Sequence, residues 1–123
     1  MSSTIETLQM TEDLFLSDEQ VCFLTKTTEG NGTVIVTMPH QRILKKKGPD
    51  ETVPGGVMVE PSKELKSAFR AIKRTVPVGT VFVTRTLRSK RKGLAEYYIC
   101  SDLFLLKNCP ETIKEKFNKI YNP

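Results

Sequence analysis

Leu65, Ala68, Phe69 and Ile72 fall at i, i+3, i+4 and i+7, one apolar stripe at the helical period. This stripe constrains the chain more than any other feature, because the apolar segments beside it are short and of strand type. One amphipathic helix must therefore dock a single face on a body built largely of strands. The spacing predicts a helix over Ser62–Arg74, with Ser62 as its N-cap and Pro77 and Gly79 just beyond its end. A hairpin follows. Its first strand is expected over Val78–Leu87, its tip over Arg88–Gly93 and its second strand over Ala95–Leu106. In the first strand Val81 and Val83 share a face with Arg85, and Phe82 shares the other with Thr80, Thr84 and Thr86. The second is apolar enough to be central, with Ser101-Asp102 as the expected bulge or bend.

Ahead of the helix the signals are shorter. Ser17-Asp18-Glu19-Gln20 fits a capping box that would open a helix through Val21 and Leu24. Gln20–Thr28 also carries Val, Phe and repeated Thr and runs into Gly30-Asn31-Gly32, which favours a strand entering a tight turn. The strand is the reading adopted. Thr33–Met38 is a second strand, interrupted at Pro39, which has no N–H for a ladder, and resumed over Gln41–Leu44. Residues 45–56, KKKGPDETVPGG, are turn chemistry throughout and read as a loop. Val57–Val59 is a short third strand. At the other end Pro110-Glu111 opens a last helix, with Ile113, Phe117, Ile120 and Tyr121 on its inner face and Lys114, Lys116 and Lys119 outside. Residues 1–13 read as a flexible acidic arm. Leu14-Phe15-Leu16 begins the packed region, so residues 14–123 form one domain.

The resulting order, β-β-β-α-β-β with a C-terminal helix, resembles that of the OB-fold, a five-stranded partly open barrel, between Gln20 and Leu106. The expected class is thus mainly β with helices, an OB-like barrel. The alternative is an α+β domain with helices on one face of an antiparallel sheet. It becomes the better reading if residues 17–27 are helical, since the barrel then lacks its first strand.

Charge is distributed unevenly. Residues 1–20 carry five acidic side chains and no Lys or Arg, whereas residues 42–92 carry fourteen Lys and Arg against four acidic residues. Such polarity steers a polyanion to one region of a chain. In OB-folds the nucleic-acid face is built on strands two and three with the loops between strands one and two and strands four and five. The resemblance therefore implies binding of single-stranded DNA or RNA. Candidate contacts are Arg85, Arg88, Lys90, Arg91 and Lys92 at the hairpin, Lys45, Lys46 and Lys47 in the loop, and Lys66 and Arg70 on the helix. Tyr97 and Tyr98 are the candidate stacking platforms; they point to opposite faces of a strand, so at most one belongs to the core wall. Folding of the acidic arm over this surface would compete with the ligand. The alternative function is a protein-interaction adaptor, subunit or inhibitor that engages an acidic partner.

Other classes find little support. His40 is the only histidine and has no Ser, Asp or Cys at a spacing that identifies a catalytic pair. Phosphate-binding glycine motifs are missing. The three cysteines, Cys22, Cys100 and Cys109, include no CxxC pair, so neither a disulfide framework nor a zinc site is expected. The expectation is a non-enzymatic chain without cofactor or metal. With no apolar run near the roughly 20 residues that cross a bilayer and no signal-like N-terminus, it is expected to be intracellular, cytoplasmic or nuclear.

Overall fold

The computed structural model describes residues 20–43, 51–93 and 95–123. The acidic arm, the Leu14–Leu16 clump and Lys45–Lys47 lie outside these residues. Within them the chain is mainly β, with antiparallel sheets and a C-terminal helix. The strands are β1 (Cys22–Glu29), β2 (Gly32–Thr37), β3 (Gln41–Ile43), β4 (Glu51–Val53), β5 (Val59–Pro61), β6 (Val81–Thr84), β7 (Arg88–Lys92), β8 (Ala95–Cys100) and β9 (Phe104–Leu105). The helices are α1 (Lys66–Thr75) and α2 (Glu111–Tyr121), with a 3₁₀ turn over Leu106–Asn108.

The first strand forms as the Thr-rich composition predicts, which removes the main support for the α+β alternative. It sits inside a four-stranded sheet of order β2-β1-β6-β9. Glu29 pairs with Gly32, leaving Gly30 and Asn31 as a two-residue loop, and Gly30 takes φ +59° there, a conformation open to glycine without a Cβ clash. A second sheet has the order β5-β8-β7, and β3 pairs with β4. In the second sheet β5 runs parallel to β8, while β7 is antiparallel to it. The two larger sheets meet between β2 and β5 through the bridge Val36–Met58, supported by Thr37 N donating to Val57 O at 2.9 Å. The described ladders thus leave separate sheets rather than one continuous closed barrel.

The four-stranded sheet is a middle layer, because its strands bury side chains on both faces. On one face Leu24, Ile35 and Phe82 pack with Leu65, Phe69 and Ile72 of the α1 region and with Val59, Tyr98 and Cys100 of the second sheet. On the other, Val21, Phe23, Val83 and Phe104 pack with Ile113 and Phe117 of α2. Phe23 meets Phe117 and Tyr121 edge-on, with centroids 5.3 and 6.1 Å apart. Each fully buried apolar side chain of this kind contributes about 1.5–3 kcal/mol. The predicted stripes of both helices are those that face inward.

Several boundaries differ from the sequence reading. The helix begins at Lys66, after a turn in which Leu65 N donates to Ser62 O; Ser62 makes no side-chain cap. Residues 45–56 are not wholly loop, since Glu51–Val53 is held as a strand by pairing with Gln41–Ile43. The largest change concerns the hairpin. The strand expected over Val78–Leu87 ends at Thr84, and the basic segment Arg88–Lys92 is itself a strand, with the turn moved to Gly93. The return strand splits into β8 and β9, which belong to different sheets.

Local hydrogen bonding explains both breaks. Arg85 N donates to Asp102 Oδ1 at 2.8 Å, and Ser101 N donates to Thr86 Oγ1 at 2.8 Å. Each corner therefore gives a backbone N–H to a side chain of the opposite corner. The chain crosses from the first sheet to the second between β6 and β7 and back again between β8 and β9. Ser101-Asp102 is more than the bend expected: it is one half of this double crossing.

Candidate nucleic-acid interface

The outer face of the second sheet follows from strand alternation. Val59, Tyr98 and Cys100 are buried, so Met58, Glu60, Tyr97 and Ile99 point the other way. The register places Arg88 beside Ile99 and Lys90 beside Tyr97, and Ile99 beside Glu60 on the far side. Arg88 and Lys90 are exposed, Tyr97 is half-buried, and Met58 is exposed by 39%, one of two large apolar side chains so open among the described residues. The backbone of Arg91 and Lys92 continues β7 beyond Lys90.

Next to Met58 and Glu60 the seam between β2 and β5 opens into a groove of about 480 Å3. Val34, Ile35, Val59 and Phe69 line it, and so do Lys63, Lys66, Arg70 and Lys73. The last three recur at i, i+4 and i+7, one face of α1 rotated from its buried stripe. The helix thus inserts Phe69 and Ile72 into the core while presenting this row of cations to the groove. Among the described residues none of Lys63, Lys66, Arg70, Lys73, Arg88 and Lys90 forms an ion pair; the pairs present are Arg85–Asp102 and Lys114–Glu111. Crossing the surface from β7 to α1, one meets cations, then Tyr97, Ile99, Met58 and Glu60, then the groove and its cations.

Not every predicted residue joins this surface. Tyr98 is 1% exposed and belongs to the core, so Tyr97 is the outward member of the pair. Arg85 is already engaged within the protein. Its Nε donates to Asp102 Oδ2 at 2.7 Å and its guanidinium lies 5.3 Å from the centroid of Phe104. It neutralises a carboxylate at the sheet crossing, so this predicted contact residue carries an ion pair with the protein itself. Phe23 and Phe82 are both wholly buried and offer no platform for a base.

Sequence reading also missed Lys26 and Gln41, both buried. Lys26 Nζ donates to Val76 O at the end of α1 at 2.5 Å. Gln41 Oε1 accepts from Phe23 N at 2.6 Å while its Nε2 donates to Phe23 O and Met38 O at 3.0 and 2.6 Å. Alternation on the strand gave a signal for Lys26, since it shares a face with Leu24. Nothing local marked Gln41.

The remaining chemistry is sparse. Burial pushes the Cys22 thiol up to about 11 and those of Cys100 and Cys109 to about 12, so at neutral pH all three are protonated. His40 is exposed and holds φ +66° in the turn after Pro39. No cluster of three or more His, Cys, Asp or Glu suited to a metal occurs among the described residues, and no described helix is long and apolar enough to cross a membrane. A second groove of about 550 Å3, lined chiefly by Val76, Pro77, Val81, Leu106 and Phe117 with Lys107 and Lys114, lies beside α2. Comparison of the chain with protein-family models, curated proteins and solved structures finds no match to any of them.

Proposed function

We propose that this chain binds single-stranded nucleic acid across the outer face of β8 and β5, with phosphates held by Arg88 and Lys90 on one flank and by Lys63, Lys66, Arg70 and Lys73 on the other. The observation that carries the reading is that these cations, without ion-pair partners among the described residues, flank a strip of Tyr97, Ile99 and Met58. A positive path beside apolar and aromatic platforms is what unpaired nucleotides require, since phosphates need charge and bases need flat surfaces. Arg91 and Lys92 extend β7 in the same direction, and Lys45–Lys47 belong to the proposal through charge alone.

We further infer an OB-like arrangement. Support comes from the order of the pairings: β1 with β2, β2 with β5 through Val36–Met58, β5 with β8, β8 with β7, and β6 with β1. Followed around, with β6 running on into β7, they form a ring, and α1 lies between β5 and β6 in the chain as the OB order requires. The ligand surface then falls on the strands equivalent to the third and fifth, and it shares the third with the face on which that fold binds oligonucleotides.

The test is a salt series with fluorescein-labelled single-stranded DNA, RNA and duplex, beside heparin. Binding to single strands should exceed binding to duplex and weaken steeply with salt. A slope of log K against log salt of about −3 is expected if four or so phosphates are contacted, at about −0.7 per phosphate. Equal binding to heparin, or a flat salt dependence, would overturn the reading. Indifference to every nucleic acid with co-purification of an acidic protein would point to the adaptor function instead.

A further inference from the structure

Glu60 is unlike its surroundings. Among the residues lining the groove it is the carboxylate beside Lys63, Lys66, Arg70 and Lys73. It forms no ion pair with them. Its position is fixed by the backbone: Val59 before it is buried, and the pairing of Glu60 with Ile99 turns its side chain to the outer face. An exposed carboxylate on a phosphate path would oppose binding by charge repulsion. Glu60 belongs to the sheet side of the groove, however. The nearest row of the sheet runs Glu60, Ile99, Arg88, so β8 separates it from the cation on β7, and β5 rather than α1 carries it to the wall of the groove. Two strand spacings, roughly 10 Å, lie between the strand of Glu60 and that of Arg88. Glu60 therefore shares the strip with Met58, Tyr97 and Ile99, the strip assigned to bases.

An ionised carboxylate only accepts hydrogen bonds. On the Watson–Crick edges of unpaired bases, which single-strand binders read, two donor groups side by side occur in guanine alone, N1–H and the N2 amino group. Adenine and cytosine set an acceptor nitrogen beside their amino group, and uracil sets its N3–H between two carbonyls. The two oxygens of a carboxylate match guanine and meet an acceptor on every other base. We propose that Glu60 selects unpaired guanine within the bound strand. This inference rests on the single-strand reading above.

The experiment is fluorescence anisotropy with three labelled oligomers: an oligouridine, the same oligomer with spaced guanines, and the same with inosines, which keep N1–H and lack the N2 amino group. Wild-type protein should bind the guanine oligomer about tenfold more tightly than oligouridine, with inosine between them. Glu60→Gln should remove the guanine preference and tighten oligouridine, because a negative charge has gone. A thermal melt of E60Q should match wild type, since the side chain is exposed. Equal affinity of the wild type for all three oligomers would overturn the proposal. So would an E60Q protein that binds all three more tightly and keeps the preference. Both outcomes leave single-strand binding intact, whereas absence of salt-sensitive binding to every oligomer defeats the single-strand reading itself.

Discussion

At the scale of single residues, two polar side chains do work that apolar packing cannot. Gln41 stands in for a strand partner where Pro39 and His40 carry the chain away from β1, bonding both the N–H and the C=O of Phe23. Replacing Gln41 with Leu leaves a buried N–H with no acceptor. A loss of about 1–3 kcal/mol is expected in urea unfolding, with little change in slope. Asp102 receives Arg85 N and Arg85 Nε, and Thr84 Oγ1 lies 2.8 Å from it. Asp102→Asn keeps the shape but turns an amide toward a donor and should cost about 1.5–3 kcal/mol. Arg85→Met should likewise lower stability while leaving oligonucleotide affinity within about twofold, as for a cation outside the phosphate path. A large affinity loss in folded R85M would restore Arg85 to the interface. None of these pairings was legible in the sequence, because each joins positions fifteen or more residues apart and the charge of Arg85 reads the same whether it meets Asp102 or a phosphate.

At the scale of elements, the stripes of α1 and α2 were legible because an apolar period of 3.6 has one physical solution, burial of that face. The strand β7 was not, since four cations in six residues resemble a solvated tip. Its place explains the composition: β7 is an edge of the β5-β8-β7 sheet, and Lys and Arg on an edge hinder pairing with other chains. The same cations therefore protect the edge even without ligand, and mutation must separate this role from the proposed one. Lys90→Glu and the double variant Lys66→Glu, Arg70→Glu reverse charge on opposite flanks of the proposed strip. If a strand spans both flanks, each should weaken single-strand binding about tenfold or more and make the salt slope shallower by about 0.7 per lost contact. Loss confined to K90E would restrict the ligand to β7 and β8. The buried Lys26 supplies a control on the helix itself. Its Nζ meets the last carbonyl region of α1, where a positive charge also favours the helix dipole, so Lys26→Met should cost about 1 kcal/mol in stability and leave the salt slope unchanged.

At the scale of the whole molecule, the middle sheet carries two buried faces, and this arrangement places the three thiols inside. Three cysteines without a CxxC pair led to no expectation of a disulfide framework, and burial among apolar layers is what keeps the thiols inert. Desolvation raises Cys22 to about 11 and Cys100 and Cys109 to about 12, with Asp102 adding to the shift at Cys100 and lysines opposing it at Cys22 and Cys109. Desolvation also raises Tyr121, whose hydroxyl donates to Pro39 O at 2.6 Å, to about 12. The direction of the linkage follows. In the unfolded chain thiols ionise near pH 9, while in the folded chain they hold their protons to pH 11 or above. Above pH 9 the unfolded state thus binds fewer protons than the native one, and stability falls as pH rises; below pH 9 these groups contribute no slope. Three thiols set a ceiling of about 4 kcal/mol per pH unit, from roughly 1.4 kcal/mol for each proton. Urea unfolding at pH 8 and pH 10 should show the drop, and the Cys100→Ala variant should show a shallower one at the expense of a small cavity. At pH 8 a disulfide reagent should modify none of the three cysteines until urea unfolds the chain, and rapid modification of any thiol under native conditions would contradict its burial.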